Sequence, residues 1–319
     1  MPVPERSSRV AGPADPLLRD VGDAFDELEL SWRVVTPDST ATARSTGSDV
    51  VVPAENLAAA RRTLTRLGFL QPQALTSRRR SLFVAYHQPT GTWAELTLAS
   101  ELTLTEPRPL RAATLRTWSR ALRTAGRLAA PFRRRGLGVA LLGPDGAGKS
   151  TVAEVVRGGF YFPADSVYMG LYQAGAAGRR RRRPRGVGLV GALARQWGRW
   201  LGSQYRRARG RLVLFDRYTY DALLPADQPL SRLARIRRQL LAHACPRPSL
   251  IVVLDVPADV LYERKGEHDP ALLERHRRRF LELAHRLPGS VVVDAGRDAE
   301  SVAREVTAQI WRAYASRWN

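Results

Sequence analysis

Apolar residues cluster in short runs at Leu137–Leu142, Leu212–Phe215, Leu250–Leu254 and Ser290–Val293, with little polar interruption. Runs of that kind predict strands buried on both faces. Between them a 3.6-residue periodicity predicts helices over 150–157, 189–207, 231–244, 258–264, 270–286 and 298–315. Strands alternating with helices predict a parallel sheet covered on both sides. The N-terminal third reads differently. Helical periodicity covers 17–31, and short strands are expected at 32–35 and 49–52. A helix over 53–68 has Pro53 at its start and Gly68 at its end. Residues 81–87 and 92–98 alternate as strands around the turn Gln88-Pro89-Thr90-Gly91. A further helix over 110–130 stops at Pro131. The expected architecture is α/β throughout: a small α/β domain over 1–106, a helical linker over 107–135, and a larger α/β domain over 136–319. No internal repeat is present.

Composition adds charge to this picture. The 319 residues carry a formal charge of +21, with 44% hydrophobic positions, which is enough to build a core. Only two residues, Lys149 and Lys265, are lysines, so the basic character is almost all Arg. Two stretches contain no acid, Pro107–Pro144 with nine Arg and Ser166–Phe215 with twelve, and together they equal the net charge. Arg116, Arg120, Arg123 and Arg127 form one stripe of the expected linker helix. Arg179–Arg183, flanked by Gly178 and Pro184, predict a mobile loop. A solvated Arg face is the plain reading of these regions, and weak contact with a polyanion or anionic membrane is the second. No zinc-finger, RNA-binding or helix-turn-helix signature is present, so no specific nucleic acid is expected. The single cysteine, Cys245, excludes an intrachain disulfide and a zinc site built on cysteine pairs. No signal-like or membrane-spanning apolar run is found, and a cytoplasmic protein is expected.

The strongest chemical signal is Gly143-Pro144-Asp145-Gly146-Ala147-Gly148-Lys149-Ser150, which matches GxxxxGK[ST] between a predicted strand and a predicted helix. Glycines let the backbone curl so that N–H groups face phosphate oxygens, and the helix N-terminus adds positive partial charge. Lys149 is placed to reach the β- and γ-phosphates of ATP, and Ser150 to ligate Mg²⁺. Thr151 follows as a cap or packing residue. A second signal is the strand Leu212–Phe215 running into Asp216-Arg217-Tyr218. Carboxyl ends of parallel strands are where such sheets bind ligands. Asp216 there can hold the Mg²⁺ hydration shell, and Arg217 can face a transferring phosphoryl group.

These pieces resemble the thymidylate kinase family of P-loop nucleoside monophosphate kinases. The resemblance covers about 137–312 and rests on five segments in order. They are the GPDGAGKS loop, the FDRY segment, the LIVVLDVP strand from Leu250 to Pro257, Glu263-Arg264-Lys265-Gly266-Glu267, and the VVVDAG strand end from Val291 to Gly296. It implies that Asp145 contacts the acceptor's sugar hydroxyl and that Arg217 bridges acceptor and donor phosphates, with Tyr218 beside it at the acceptor. It implies that Arg264 and Lys265 supply charge from a lid, since position 146 is Gly rather than Arg. Residues 295–297 would line the adenine pocket through the backbone. Homodimerisation is a family expectation. Two departures stand out. The family's Arg-x-Pro-Gly acceptor element is absent, its place taken by Asp165–Gly170 and the Arg run. Asp221 stands where the family usually has Ser. Asp255, ending its strand, reads as a cap or as a residue that orients the lid's basic groups, and His268 as an exposed titrating residue.

The N-terminal domain, through Gly47-Ser48-Asp49-Val50-Val51-Val52 and the helix ending Leu67-Gly68-Phe69, is similar to a nucleotidyltransferase domain. Such enzymes hold two Mg²⁺ ions with two strand carboxylates one residue apart and a third from a neighbouring strand. Here Asp49 is present, Val51 replaces the second, and Glu95 could serve as the third, so a degenerate domain is expected. The leading expectation for the whole chain is an ATP- and Mg²⁺-dependent phosphotransferase. It would act on a nucleoside monophosphate, such as thymidine monophosphate, or a related phosphorylated small molecule. The alternatives are a kinase of a sugar or nucleoside, and a non-catalytic ATP sensor on a basic scaffold.

Overall fold

In the computed structural model, residues 16–35, 45–71, 80–100, 136–170, 188–225, 229–265 and 269–318 are described. The expected linker helix, the Arg179–Arg183 run and lid residues Gly266, Glu267 and His268 lie outside them. By backbone contacts the chain divides into two units, Met1–Arg120 with Trp311–Asn319, and Ala121–Ile310.

In the second unit, strand β5 (Gly138–Leu142) is buried at every position, as its uninterrupted apolar run requires. It is the central strand of a five-stranded parallel sheet in the order β6-β7-β5-β8-β9. The others are β6 (Ala164–Tyr168), β7 (Leu212–Asp216), β8 (Leu250–Asp255) and β9 (Ser290–Asp294). From β5 the chain passes two places outward to β6, returns to β7, and continues on the far side of β5 with β8. The order therefore reverses at β5, and the crevice beyond its carboxyl end is the expected ligand position. One face packs Val213, Phe215, Ile251 and Val253 against Phe280 and Leu283 of the helix Pro270–Arg286. The C-terminal helix Ala299–Trp318 contributes buried Val302, Val306 and Ile310. The helix Pro270–Arg286 starts where sequence rules place it, with Pro270 in its first turn and the Asp269 carboxylate accepting from the Ala271 N–H.

Strand β6 has no counterpart in the predicted elements. Its sequence, Ala-Asp-Ser-Val-Tyr, offers no apolar run, because it is an edge strand paired with β7 alone and only partly buried. Asp165 at this edge forms a bidentate pair with Arg211, at 2.5 and 2.9 Å, which anchors β6 to the segment entering β7.

The first unit is a four-stranded mixed sheet in the order β1-β2-β4-β3. Its strands are β1 (Arg33–Val35), β2 (Ser45–Val52), β3 (Arg80–His87) and β4 (Thr92–Ser100). The β3–β4 pair is antiparallel and β2–β4 parallel. The helices Pro16–Glu27 and Leu57–Arg66 bury Phe25 and Leu64 against Val50, Val52, Phe83, Leu96 and Leu98. The chain's end belongs to this unit. The Trp311 indole meets Trp93 edge to face at 4.9 Å and donates to the Gly68 carbonyl at 3.1 Å. Among the described residues, no helix is long and apolar enough to cross a membrane.

Candidate active site

The loop between β5 and the helix Lys149–Gly159 wraps the carboxyl end of the central strand. Gly143 has φ of 149°, and a Cβ there would sit 2.8 Å from the Leu254 carbonyl oxygen, so only glycine permits this close turn. The helix opens directly on Lys149, with Gly148 in the left-handed region at its cap, so its first backbone N–H groups face the crevice. Lys149 is 7% exposed. Its Nζ donates to the carbonyls of Gly143 at 2.9 Å and Pro144 at 2.7 Å, and stands 3.9 Å from Asp145. Burial, seconded by the Arg217 charge, lowers its pKa to about 8, against the opposing pull of Asp145, Asp221 and Asp216. A lysine held partly towards its neutral form gains charge when anionic phosphate arrives.

Ser150, one residue on, donates from Oγ to Asp216 Oδ2 at 2.7 Å, across 66 positions of sequence. This hydroxyl and carboxylate make a pair of hard oxygen donors of the kind Mg²⁺ prefers. Thr151 sits in the same first turn.

Arg217 leaves the end of β7 with φ of 65°, the left-handed region that non-glycine residues seldom occupy. Its guanidinium lies between two carboxylates. Nη1 donates to Asp221 at 3.2 Å, and Nη2 donates to Asp145. Burial works against its charge, but Asp145 and Asp221 outweigh that effect and its pKa is raised. Asp221 is itself buried on a 3₁₀ turn, Thr219–Leu223, and burial raises its carboxyl pKa despite the opposing Arg217 charge. Gly170 lies below Arg217, where an added Cβ would come within 2.9 Å of Arg217 Cδ. The Gly170 carbonyl accepts from Arg199 at 3.4 Å, and the buried Gln196 amide donates to the Met169 carbonyl at 3.3 Å. Both side chains come from the helix Leu189–Ala208.

On the other side of the loop a pocket is lined by Gly146, Gly148, Thr151, Val152, Arg264 and Ala295, among others. Arg264, on the helix Ala258–Lys265, donates to the Ala295 carbonyl at 3.2 Å and the Arg297 carbonyl at 3.3 Å.

The structure thus gathers Gly143, Pro144, Asp145, Gly146, Ala147, Gly148, Lys149, Ser150, Thr151, Asp216 and Arg217 at one crevice. Two expectations are corrected. Tyr218 is not an acceptor contact: it is fully buried, packs on Phe215 and Tyr220, and its hydroxyl donates to the Pro246 carbonyl. Burial also raises its pKa, as a core phenol requires. Arg264 lines the pocket with Gly146 and Gly148 of the loop, and the Ala295 and Arg297 carbonyls hold its guanidinium. Asp255 does not act as a simple cap: it forms a bidentate pair with Arg277 at 2.6 and 2.9 Å, which holds the helix Pro270–Arg286 on the sheet. Lys265 ends its helix, and its side chain lies outside the described residues. Asp221, Gly170 and Gln196 were missed. The signal for Asp221 was its standing in place of a Ser, and the other two carried none.

In the first unit, β2 and β4 place Asp49 opposite Thr97 and Glu95 opposite Gly47, so both carboxylates share one sheet face. Val51, on the same face, is 2% exposed. Among the described residues no three His, Cys, Asp or Glu side chains come together as a metal group.

A phosphate-binding loop on the central strand, a hydroxyl–carboxylate pair beside it and an arginine facing it define a P-loop kinase, an enzyme of phosphoryl transfer. No protein-family model matches the chain. It is 30% identical over 211 residues to a probable thymidylate kinase of Pyrobaculum calidifontis, covering 56% of this chain and 97% of that protein. A thymidylate kinase of Xanthomonas campestris pv. campestris is also 30% identical over 211 residues, covering 57% and 86%. A solved structure of thymidylate kinase from Candida albicans aligns at 19% identity and a TM-score of 0.38, covering 55% of this chain and 90% of that one. The chain belongs to the thymidylate kinase family.

Proposed function

We propose that the protein is an ATP- and Mg²⁺-dependent phosphotransferase that moves the γ-phosphoryl to a nucleoside monophosphate, of the thymidylate type or a related phosphorylated acceptor. The observation that carries this reading is the 2.7 Å hydrogen bond from Ser150 to Asp216. It joins the phosphate loop to the strand end that also presents Arg217. The residues suit the ligands. The loop amides and Lys149 would hold the donor phosphates, and Ser150 and Asp216 would hold the metal. Arg264 and the backbone at 295–297 would meet the base. Bound Mg²⁺ supplies charge neutralisation on the transferring phosphates. Lys149 and Arg217 stabilise the charge that spreads over the phosphoryl oxygens, and positioning does most of the remaining work. A phosphate acceptor is already ionised at neutral pH, so no general base is required. The likeness to thymidylate kinases favours a nucleoside monophosphate over other acceptors.

The first unit is read as a degenerate nucleotidyltransferase-like module, supported by Asp49 and Glu95 on one face and by the apolar Val51 at the position where the second strand carboxylate would be needed.

ADP release from ATP and Mg²⁺ tests the function. The acceptor panel is thymidine, uridine, cytidine and deoxynucleoside monophosphates, nucleosides and sugar phosphates, with Lys149→Ala as control. Lys149-dependent turnover with a monophosphate is expected. Turnover with nucleosides or sugars alone, or ATP binding without turnover on any acceptor, would overturn the assignment.

A further inference from the structure

We propose that Asp221 is a positioning residue: its buried carboxylate is the pivot on which Arg217 turns from Asp145 to the phosphoryl group. The proposal rests on the phosphoryl-transfer reading above. Arg217 is held by two carboxylates of unequal standing. The Asp145 side chain is 63% exposed, whereas that of Asp221 is 9% exposed. A partner in water is exchanged for an incoming phosphate at little cost, because solvent already screens the pair. A buried partner cannot be left behind, because an uncompensated buried carboxylate is strongly disfavoured.

Asp221 also cannot follow the guanidinium outward. Its turn is fixed from below, where buried Thr219 donates from Oγ1 to the Ala242 carbonyl at 2.9 Å. The Ala222 carbonyl accepts from Arg238 Nε at 3.2 Å, and Tyr220 and Ala222 are buried. Asp221 is the member of this turn that faces the crevice, with Arg217 and Lys149 as the cations it feels. The absence of a side chain at Gly170 leaves room for the Arg217 stem beside it. One edge of the guanidinium is therefore held at Nη1 while Nη2 remains free to change partner. A Ser at this position could not do the same, since a hydroxyl carries no charge to anchor a cation.

Full-length wild type, Asp221→Asn, Asp221→Glu, Arg217→Ala and the Asp221→Asn/Arg217→Ala double variant separate this from a structural role. Asp221→Asn is expected to lower kcat about 100-fold with KM for ATP within about threefold, and Asp221→Glu to recover at least about tenfold of that. In the Arg217→Ala background, Asp221→Asn should cost less than about threefold, since its effect passes through Arg217. Two outcomes overturn the proposal: an undiminished effect of Asp221→Asn without Arg217, or a kcat within threefold of wild type with Arg217 present. A loss that Asp221→Glu does not recover, accompanied by a lowered Tm, overturns it as well. If wild type turns over no acceptor, the functional reading fails by itself. The pivot is then judged by calorimetric ATP–Mg²⁺ affinity over the same cycle, where additive effects of the two substitutions reject it.

Discussion

On the donor side of the crevice, the loop Gly143–Ser150 surrounds the end of a strand buried on both faces, and one local stretch supplies nearly every group. On the side where Arg217 stands, Gly170 follows an edge strand, Gln196 and Arg199 come from a helix, Arg217 from a strand end and Asp221 from a 3₁₀ turn. The donor half is mostly backbone, whose N–H groups serve any nucleoside triphosphate. The Arg217 side draws on groups from four separate elements, whose mutual placement depends on the packing of all four. The contrast explains why the donor chemistry is legible in a motif while acceptor choice can drift within one fold.

The comparison breaks first at Lys149. Lys149→Ala should reduce turnover by about 10³-fold or more, because it removes a charge aimed at the transferring phosphates. Steady-state ADP release measures this, and a loss below tenfold would mean the loop is not the donor site.

Ser150→Ala should cost about 10²-fold in kcat/KM, with part of the loss recovered by raising Mg²⁺. A magnesium titration of both proteins checks it; superimposable curves would remove Ser150 from metal binding.

At the base end, Arg264→Ala should raise KM for ATP about tenfold and leave KM for the acceptor unchanged. Equal effects on both substrates would favour the lid role that the resemblance implies.

The pH dependence of nucleotide binding follows from Lys149, whose pKa is lowered to about 8 by burial in the free protein. Phosphate favours the charged form, so binding takes up a proton wherever free Lys149 is neutral. Affinity for ATP should therefore fall roughly tenfold between pH 7 and pH 9, and calorimetry in buffers of different ionisation heat should show proton uptake near pH 8. Stability runs the opposite way. The unfolded chain binds more protons than the folded one between about pH 8 and the ordinary lysine value, so the burial penalty of Lys149 is relieved as pH rises through that window. A pH-independent Kd would show that Lys149 is charged in the free protein.

The smallest effect belongs to Tyr218→Phe. Losing a buried hydroxyl and its bond to the Pro246 carbonyl should cost about 1–3 kcal/mol of stability, since the carbonyl is left without that partner. KM for the acceptor should not change; a several-fold rise would put Tyr218 back among the acceptor contacts.

How much was legible differs along the chain for physical reasons. The strands β5, β7 and β8 were readable because burial on both faces demands an unbroken apolar run. The helix Pro270–Arg286 was readable because Asp269 and Pro270 mark its start. The edge strand Ala164–Tyr168 was not, because a strand with one neighbour and partial burial needs no apolar signature. Tyr218 was misplaced because its neighbours in the motif face the crevice, whereas the backbone turn at Arg217 sends the next side chain into the core. Asp255 was misjudged because Arg277, its partner 22 residues away, becomes adjacent only once the helix Pro270–Arg286 is laid on the sheet.

By itself the sequence determined the phosphate loop, the alternation of strands and helices around it, and the kinase family, since each rests on short local segments and their order along the chain. The tertiary structure alone decided that Ser150 meets Asp216 and that Arg264 stands at the 295–297 backbone. It also decided that Arg217 hangs between an exposed and a buried carboxylate. Those relations join residues far apart in sequence, and no local pattern records a distance that only the closing of the sheet creates.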